Sequence, residues 1–224
     1  MKIHASYMGL PLNSPILVSA CTLSEQTDNI IKMEDHGAGA VVMSSLFEEQ
    51  IRKQEAGFNA VIAETTYSFA EALDYFPNLD EYNVGTDEYL ENIRKAKERV
   101  KIPIIGSLNG ITNEGWIEYS KMMQQAGADG IEVNIFFIPA DITMSSSEVE
   151  HRYLNIIQSI KLAVDIPVAV KLNPYFSATG NMAMRMKNSG ADALVLFNRF
   201  YQPDFDINEL VIKTDLHYSE SNEI

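Results

Sequence analysis

Short apolar runs recur along the chain, each opened by glycine or proline and closed by a polar residue. "GAGAVVMSS" from Gly37, "GADGIEVN" from Gly127 and "GADALVLFN" from Gly190 share a Gly-Ala corner, an apolar stretch and a polar end. "IPIIGSLN" from Ile102 and "IPVAVKLN" from Ile166 share an Ile-Pro opening and the same kind of exit. With "SPILVSACT" from Ser14 these predict six strands, short and bounded in the way of buried parallel strands.

Between the runs the period changes to that of helices. Glu25 to His36 carries Ile30, Ile31 and Met33, and Thr86 to Arg99 turns Leu90 and Ile93 inward. Asn113 to Ala126 carries Trp116, Ile117, Met122 and Met123. Ser146 to Ala163 opens on a serine cap, and a shorter helix runs through Met182 to Asn188. "HGAG", "AGAD" and "SGAD" read as C-caps, where glycine takes the left-handed position at little cost.

Alternating strand and helix implies a parallel sheet. The expected fold is α/β, a TIM (β/α) barrel with about six of its eight units. It forms one domain over residues 1–224, opened by an N-terminal β-hairpin in "IHASYMGLPLNSP". A Rossmann sheet is the runner-up, but no GxGxxG follows the first strand. Residues 46–82 are too long for a βα loop and read as an active-site excursion. The tail from Gln202 to Ile224 holds no seventh unit, so the barrel is expected to lack its last two, with apolar edges at its first and sixth strands.

Composition narrows the partners. The chain is 46% hydrophobic and 21% charged, ordinary for a globular domain, with a formal charge of -14. That acidity argues against nucleic acid and anionic membranes. Cys21 is the single cysteine, which excludes an intramolecular disulfide, and no Cys/His spacing suggests a metal. The N-terminus lacks an apolar signal core and no stretch has the length of a membrane span, so a cytoplasmic setting is expected.

Strand alternation then sorts the polar residues. Glu132 and Asn134 share one face of the fourth strand, while Ile131, Val133 and Ile135 share the other. Ala169 pairs with Lys171 in the fifth, and Ile105, Ser107 and Asn109 align in the third. Leu194, Leu196 and Asn198 align in the sixth. The second strand ends at Ser44 and Ser45, the first at Ser19, Cys21 and Thr22. Nearly every strand therefore turns polar at its C-terminal end, where barrel enzymes keep their sites. Solvent at strand ends explains Ser45 or Thr22. It explains Lys171 poorly, because lysine is rarely buried unless paired, and an ion pair with Glu132 is its structural alternative. Asn134 and Asn198 could instead clamp backbone. Cys21 reads first as a small buried hydrophobe. No triad or catalytic carboxylate pair stands out. One lysine among amides and hydroxyls suits a flavin: the ammonium stabilises charge on the reduced ring, and the amides bond its carbonyls and nitrogens. A barrel aldolase with Lys171 as Schiff-base lysine is a weaker alternative.

"NSPILVSAC", "EVN", "IPVAVKLNPYF" and "LVLFN", in that order over nearly the whole chain, resemble class 1 dihydroorotate dehydrogenases. "LNGITNEGW" from Leu108 and "LFNRFYQPD" from Leu196 are similar to the dihydroorotate dehydrogenase-like subgroup. The resemblance implies an FMN-dependent oxidoreductase of dihydroorotate or a related CH–CH bond, placed in pyrimidine biosynthesis, with a small-molecule substrate and a possible homodimer. It implies backbone contacts to the flavin from Ala20 and Cys21. Ser44, Asn109, Asn134 and Lys171 would hold the ring, with Asn134 and Asn198 facing substrate.

Four departures qualify it. Met43 stands where the family has lysine before the Ser pair. The family's substrate loop is not recognisable between Asn59 and Asn83, and its glycine-rich phosphate loops are not found. "NIFFIPAD" puts Phe137 where the family has its Cys or Ser base, and phenylalanine takes no proton. Ser107, Asp141, Thr143 and Ser145 are the substitute candidates. The alternative is a non-catalytic barrel relative, or an inactive fragment, that does not retain flavin.

Overall fold

In a computed structural model, the described residues are 5–49, 51–52, 84–135, 137, 139, 141–198, 204–206 and 211–213. Most of the expected excursion and its missing substrate loop, and most of the tail, lie outside them. A hairpin of β1 (Ala5–Tyr7) and β2 (Leu10–Leu12) precedes six parallel strands. These are β3 (Leu17–Val18), β4 (Ala40–Phe47), β5 (Ile104–Asn109), β6 (Gly130–Asn134), β7 (Val168–Leu172) and β8 (Ala193–Leu196). They pair in sequence order, which makes an incomplete (β/α) barrel. Beyond them β9 (Asp204–Asp206) and β10 (Val211–Lys213) pair antiparallel as a separate ribbon.

The helices are α1 (Thr27–Asp35), α2 (Val84–Arg99), α3 (Asn113–Gln125), α4 (Ser146–Ala163) and α5 (Thr179–Asn188). The last begins earlier than its apolar period suggests, because Thr179 to Asn181 add a polar first turn. Gly37, Gly127 and Gly190 have φ of 90°, 97° and 108°, so the Gly-Ala corners are left-handed helix stops.

Two of those corners carry the same device. Asp129 accepts the Ile104 N–H at 2.7 Å and pairs with Lys97 of α2 at 2.7 Å. Asp192 accepts the Val168 N–H at 2.8 Å and pairs with Lys161 of α4 at 2.8 Å. Each aspartate thus satisfies the opening N–H of the neighbouring strand and ties that strand to its helix. Glu34 and Gln124 do a related job, accepting the N–H groups of Lys101 and Ile102, and of Asp165 and Ile166, just ahead of the two Ile-Pro steps.

The sheet separates two apolar layers. Val41, Met43, Ile104, Ile131, Val133, Val168 and Val170 face the helices with Ile30, Ile93, Met123 and Ile157. Ala40, Val42, Ile105 and Ala169 face the other way, packed with Met8 and Leu12 of the hairpin. The hairpin turn has positive φ at Met8 (56°) and Gly9 (81°), the sign pair of a two-residue hairpin turn that matches strand twist. Small residues make room beneath it: a Cβ on Gly130 would stand 2.9 Å from the Met8 methyl. The hairpin therefore covers the N-terminal part of the inner face and leaves the C-terminal part to polar residues.

Candidate active site

Polar side chains line the inner face in rungs. Ser45, Ser107, Glu132 and Ala169 lie in register across β4 to β7, and Asn134 lies beside Lys171 one rung higher. The Ser45 and Ser107 hydroxyls are 2.8 Å apart. Lys171 Nζ stands 3.3 Å from Glu132 Oε1, so the ion-pair alternative for Lys171 is present. Asn198 Nδ2 donates to Asn134 Oδ1 at 2.9 Å. Asn109 stands two residues beyond Ser107, and its Nδ2 is buried with no protein partner. A buried amide donor left open in this way has room for an acceptor, a water or a ligand.

Alternation correctly joins Ile105, Ser107 and Asn109, and Ala169 with Lys171. A bulge between Val42 and Ser45 shifts β4 and sets the Ser45 hydroxyl against Ser107. One expectation needs correction. Asn198 does not share a face with Leu194 and Leu196. Leu194 packs on the helix side and Leu196 is exposed, while Ala193 and Val195 pack inside. The strand ends at Leu196, the alternation stops there, and the chain beyond brings Asn198 to Asn134.

The bulge has its own support. Tyr89 of α2 is buried, accepts the Ser107 N–H at 2.9 Å and donates to the Ser107 carbonyl at 3.3 Å. Burial, then the nearby Glu132 charge, push its phenol up, against the opposing bond to Ser107. Ala20 packs on the inner layer. The Cys21 carbonyl accepts from the Ser24 N–H and hydroxyl, opening the 3-10 turn Thr22–Glu25.

Sequence reasoning missed Glu48. It follows β4, its side chain is 1% exposed, and it accepts the N–H groups of Ile111 and Thr112 at 2.5 and 3.0 Å. The Thr112 hydroxyl donates to it at 2.6 Å and Arg52 pairs with it at 2.9 Å. Burial pushes its carboxyl up, but the bonds from Ile111 and Thr112 and the Arg52 charge outweigh this and leave it below its ordinary value. The "LNGITNEGW" segment is shaped around this carboxylate. A Cβ on Gly115 would lie 2.3 Å from Glu48 Oε2, and one on Gly110 would strike the Trp116 indole at 2.5 Å. Thr112 caps α3 by accepting the Gly115 N–H at 3.0 Å. Glu48 thus fixes the loop that directly follows Asn109.

The candidate bases all have partners within the chain. Ser145 caps α4 in a reciprocal box with Glu148. Asp141 accepts from the Thr143 N–H and hydroxyl in a local turn, and these bonds hold it below its usual range. Ser107 is buried against Ser45. The Phe137 ring lies under the Arg152 guanidinium, 4.3 Å from centroid to carbon, so α4 holds it. Tyr153 of α4 bonds the Phe137 backbone and accepts from Asn173 at 3.0 Å. Among the described residues no acidic, His or Cys cluster could hold a metal, and no helix is long and apolar enough to cross a membrane.

Known proteins resemble this chain in sequence. The family profile described as Dihydroorotate dehydrogenase matches residues 3–213. The catalytic subunit of dihydroorotate dehydrogenase B (NAD(+)) from Thermoplasma acidophilum is 28% identical over 92% of this chain and 65% of its own length. The protein of the same name from Methanocaldococcus jannaschii is 28% identical over 88% of this chain and 62% of its own. The NAD-dependent dihydropyrimidine dehydrogenase subunit PreA of Escherichia coli is 23% identical over 93% of this chain and 51% of its own. The chain spans less than two thirds of the length of these relatives.

Proposed function

The chain belongs to the dihydroorotate dehydrogenase family, and from that premise we propose that it carries the flavin-binding face of an FMN-dependent oxidoreductase. The substrate is dihydroorotate or a related ring with an oxidisable CH–CH bond. The observation that carries the reading is the open, buried Asn109 amide on the same inner face as Lys171, Asn134 and Asn198. This donor set fits the edge of a flavin: amide N–H groups for ring acceptors and an ammonium for the pyrimidine side. When bound, the flavin supplies hydride acceptance. The chain's own residues bind and orient. Asn109 and Lys171 hold the ring edge, Asn134 and Asn198 form one amide pair toward substrate, and Glu48 fixes the loop beside Asn109. The relatives named as catalytic subunits support a role as one subunit of a larger enzyme. The proposed setting is cytoplasmic.

A second reading is favoured by Phe137: a flavin-binding relative without dihydroorotate chemistry, because the position read as the base is held against Arg152. One experiment separates the two. The protein is incubated with FMN, desalted, and followed by flavin absorbance during addition of dithionite or dihydroorotate. Retained flavin that both reagents bleach supports the dehydrogenase. Flavin bleached by dithionite alone supports the second reading. Protein that takes up no flavin sinks both.

A further inference from the structure

The inner face carries one cation and one anion among the described residues that line it, Lys171 and Glu132. Their side chains are 16% and 4% exposed. Lys171 stands beside Asn134 at the polar end of the sheet, while Glu132 stands one rung deeper, between Ser107 and Ala169. The carboxylate is therefore behind the ammonium as seen from the mouth. Below it lies the hairpin, whose Tyr7 phenol is pushed up to about 12 by burial first and by the Glu132 charge second. Met43, where the family has a lysine, is buried on the helix side and brings no charge. Among the described residues, Lys171 pairs with Glu132, and the Tyr7 and Tyr89 phenols feel its charge.

A carboxylate this buried is costly to keep unless it is paired, and strand packing alone asks only for a small apolar residue there, as Ala169 supplies next door. Its effect is on the charge that Lys171 presents. Resting on the flavin reading above, we propose that Glu132 tunes the reduction potential of the ring held against Lys171, by offsetting the ammonium that would otherwise favour the reduced, more negative ring. Lys171 then orients the ring edge without strongly raising its electron affinity. Glu132 stands one rung behind Lys171 and acts at a distance, its charge opposing the ammonium's at the ring, so it is a tuning residue. Reduction of a bound ring would add two electrons and one proton, as a hydride from substrate or as electrons from dithionite with a proton from water, and the net negative charge gained is what the Lys171–Glu132 pair would sense.

The test is a spectroscopic redox titration of the full chain saturated with FMN, against a reference dye. Glu132→Gln is expected to move the midpoint to more positive potential than wild type. Lys171→Met is expected to move it to more negative potential, and adding Glu132→Gln to Lys171→Met is expected to bring it back upward. A Glu132→Gln protein that holds FMN at an unchanged or lower midpoint overturns the proposal. Should the single glutamine variant fail to fold, the Lys171→Met protein and the double variant carry the same comparison, and equal midpoints overturn it. A merely structural Glu132 would change melting temperature and leave the potential alone. Wild type that binds FMN while its variants show no shift defeats this inference only; wild type that takes up no FMN defeats the flavin reading and this inference with it.

Discussion

Glu48 is the residue whose charge the local structure most clearly requires. Its oxygens take two backbone N–H groups and a hydroxyl, and its carboxyl is held below the ordinary value despite burial. A lowered folded-state value means that the stabilisation is present in full above the unfolded carboxyl pKa of about 4.3 and is lost as pH falls through the folded value. Urea unfolding between pH 3 and 7 is expected to show this acid loss. Glu48→Gln is expected to cost about 1–3 kcal/mol at pH 7, since an amide turns N–H groups toward N–H donors, and to flatten the acid limb. An acid limb as steep as wild type would remove Glu48 from the account. The sequence offered no signal for it: the backbone N–H groups it accepts lie 63 and 64 residues away. The meeting of Ser45 with Ser107 was hidden for a different reason, since a bulge adds a residue without changing the apolar pattern around it. The family resemblance set Phe137 at the expected base position, and its contact with Arg152 was not legible. Phe137→Cys puts a thiol beside that guanidinium, which favours the thiolate. A measurable gain of dihydroorotate oxidation in Phe137→Cys and none in Phe137→Ala is expected if the missing base is what limits the chemistry; equal rates in the two would place the limit elsewhere.

At the scale of elements, the repeat made the fold readable. Each Gly-Ala corner announces a helix stop and a strand start, and the aspartates of two "GAD" corners repeat one set of bonds. The sequence showed the repetition but not its bonds, which join residues 24 and 25 apart to each other and to lysines 31 and 32 apart. Asp129→Ala leaves the Ile104 N–H without its acceptor and Lys97 without its partner, at an expected cost of about 1–3 kcal/mol. Asp192→Ala should fall in the same range, because the geometry is the same. Denaturation curves of the two variants check this; a cost confined to one of them would show that the repeated bonds do not do repeated work. The sixth strand marks the limit of such reading. Alternation predicts faces only while the ladder lasts, and Asn198 lies past its end.

At the scale of the whole molecule, one sheet serves two cores that do not mix. Leu12 of the hairpin is 3% exposed in the inner layer, and Ile157 of α4 is fully buried in the outer layer. The hairpin was legible in "IHASYMGLPLNSP", but its seat on the inner face was not, because no local pattern says which end of a barrel a hairpin covers. Truncating either residue to alanine leaves a cavity, with an expected cost of about 2–5 kcal/mol. The two costs are expected to add to within about 0.5 kcal/mol in the double variant, since the sites share no partner across the sheet. Their consequences for the site should differ. Leu12→Ala loosens the packing under Tyr7 and Glu132, so it is expected to weaken FMN uptake as well as stability. Ile157→Ala lies behind the sheet and is expected to lower stability with FMN affinity kept, when both are measured well below the melting temperature. The reverse order of FMN affinities would mean that the hairpin is a cover only, and that the polar rungs are set from the helix side.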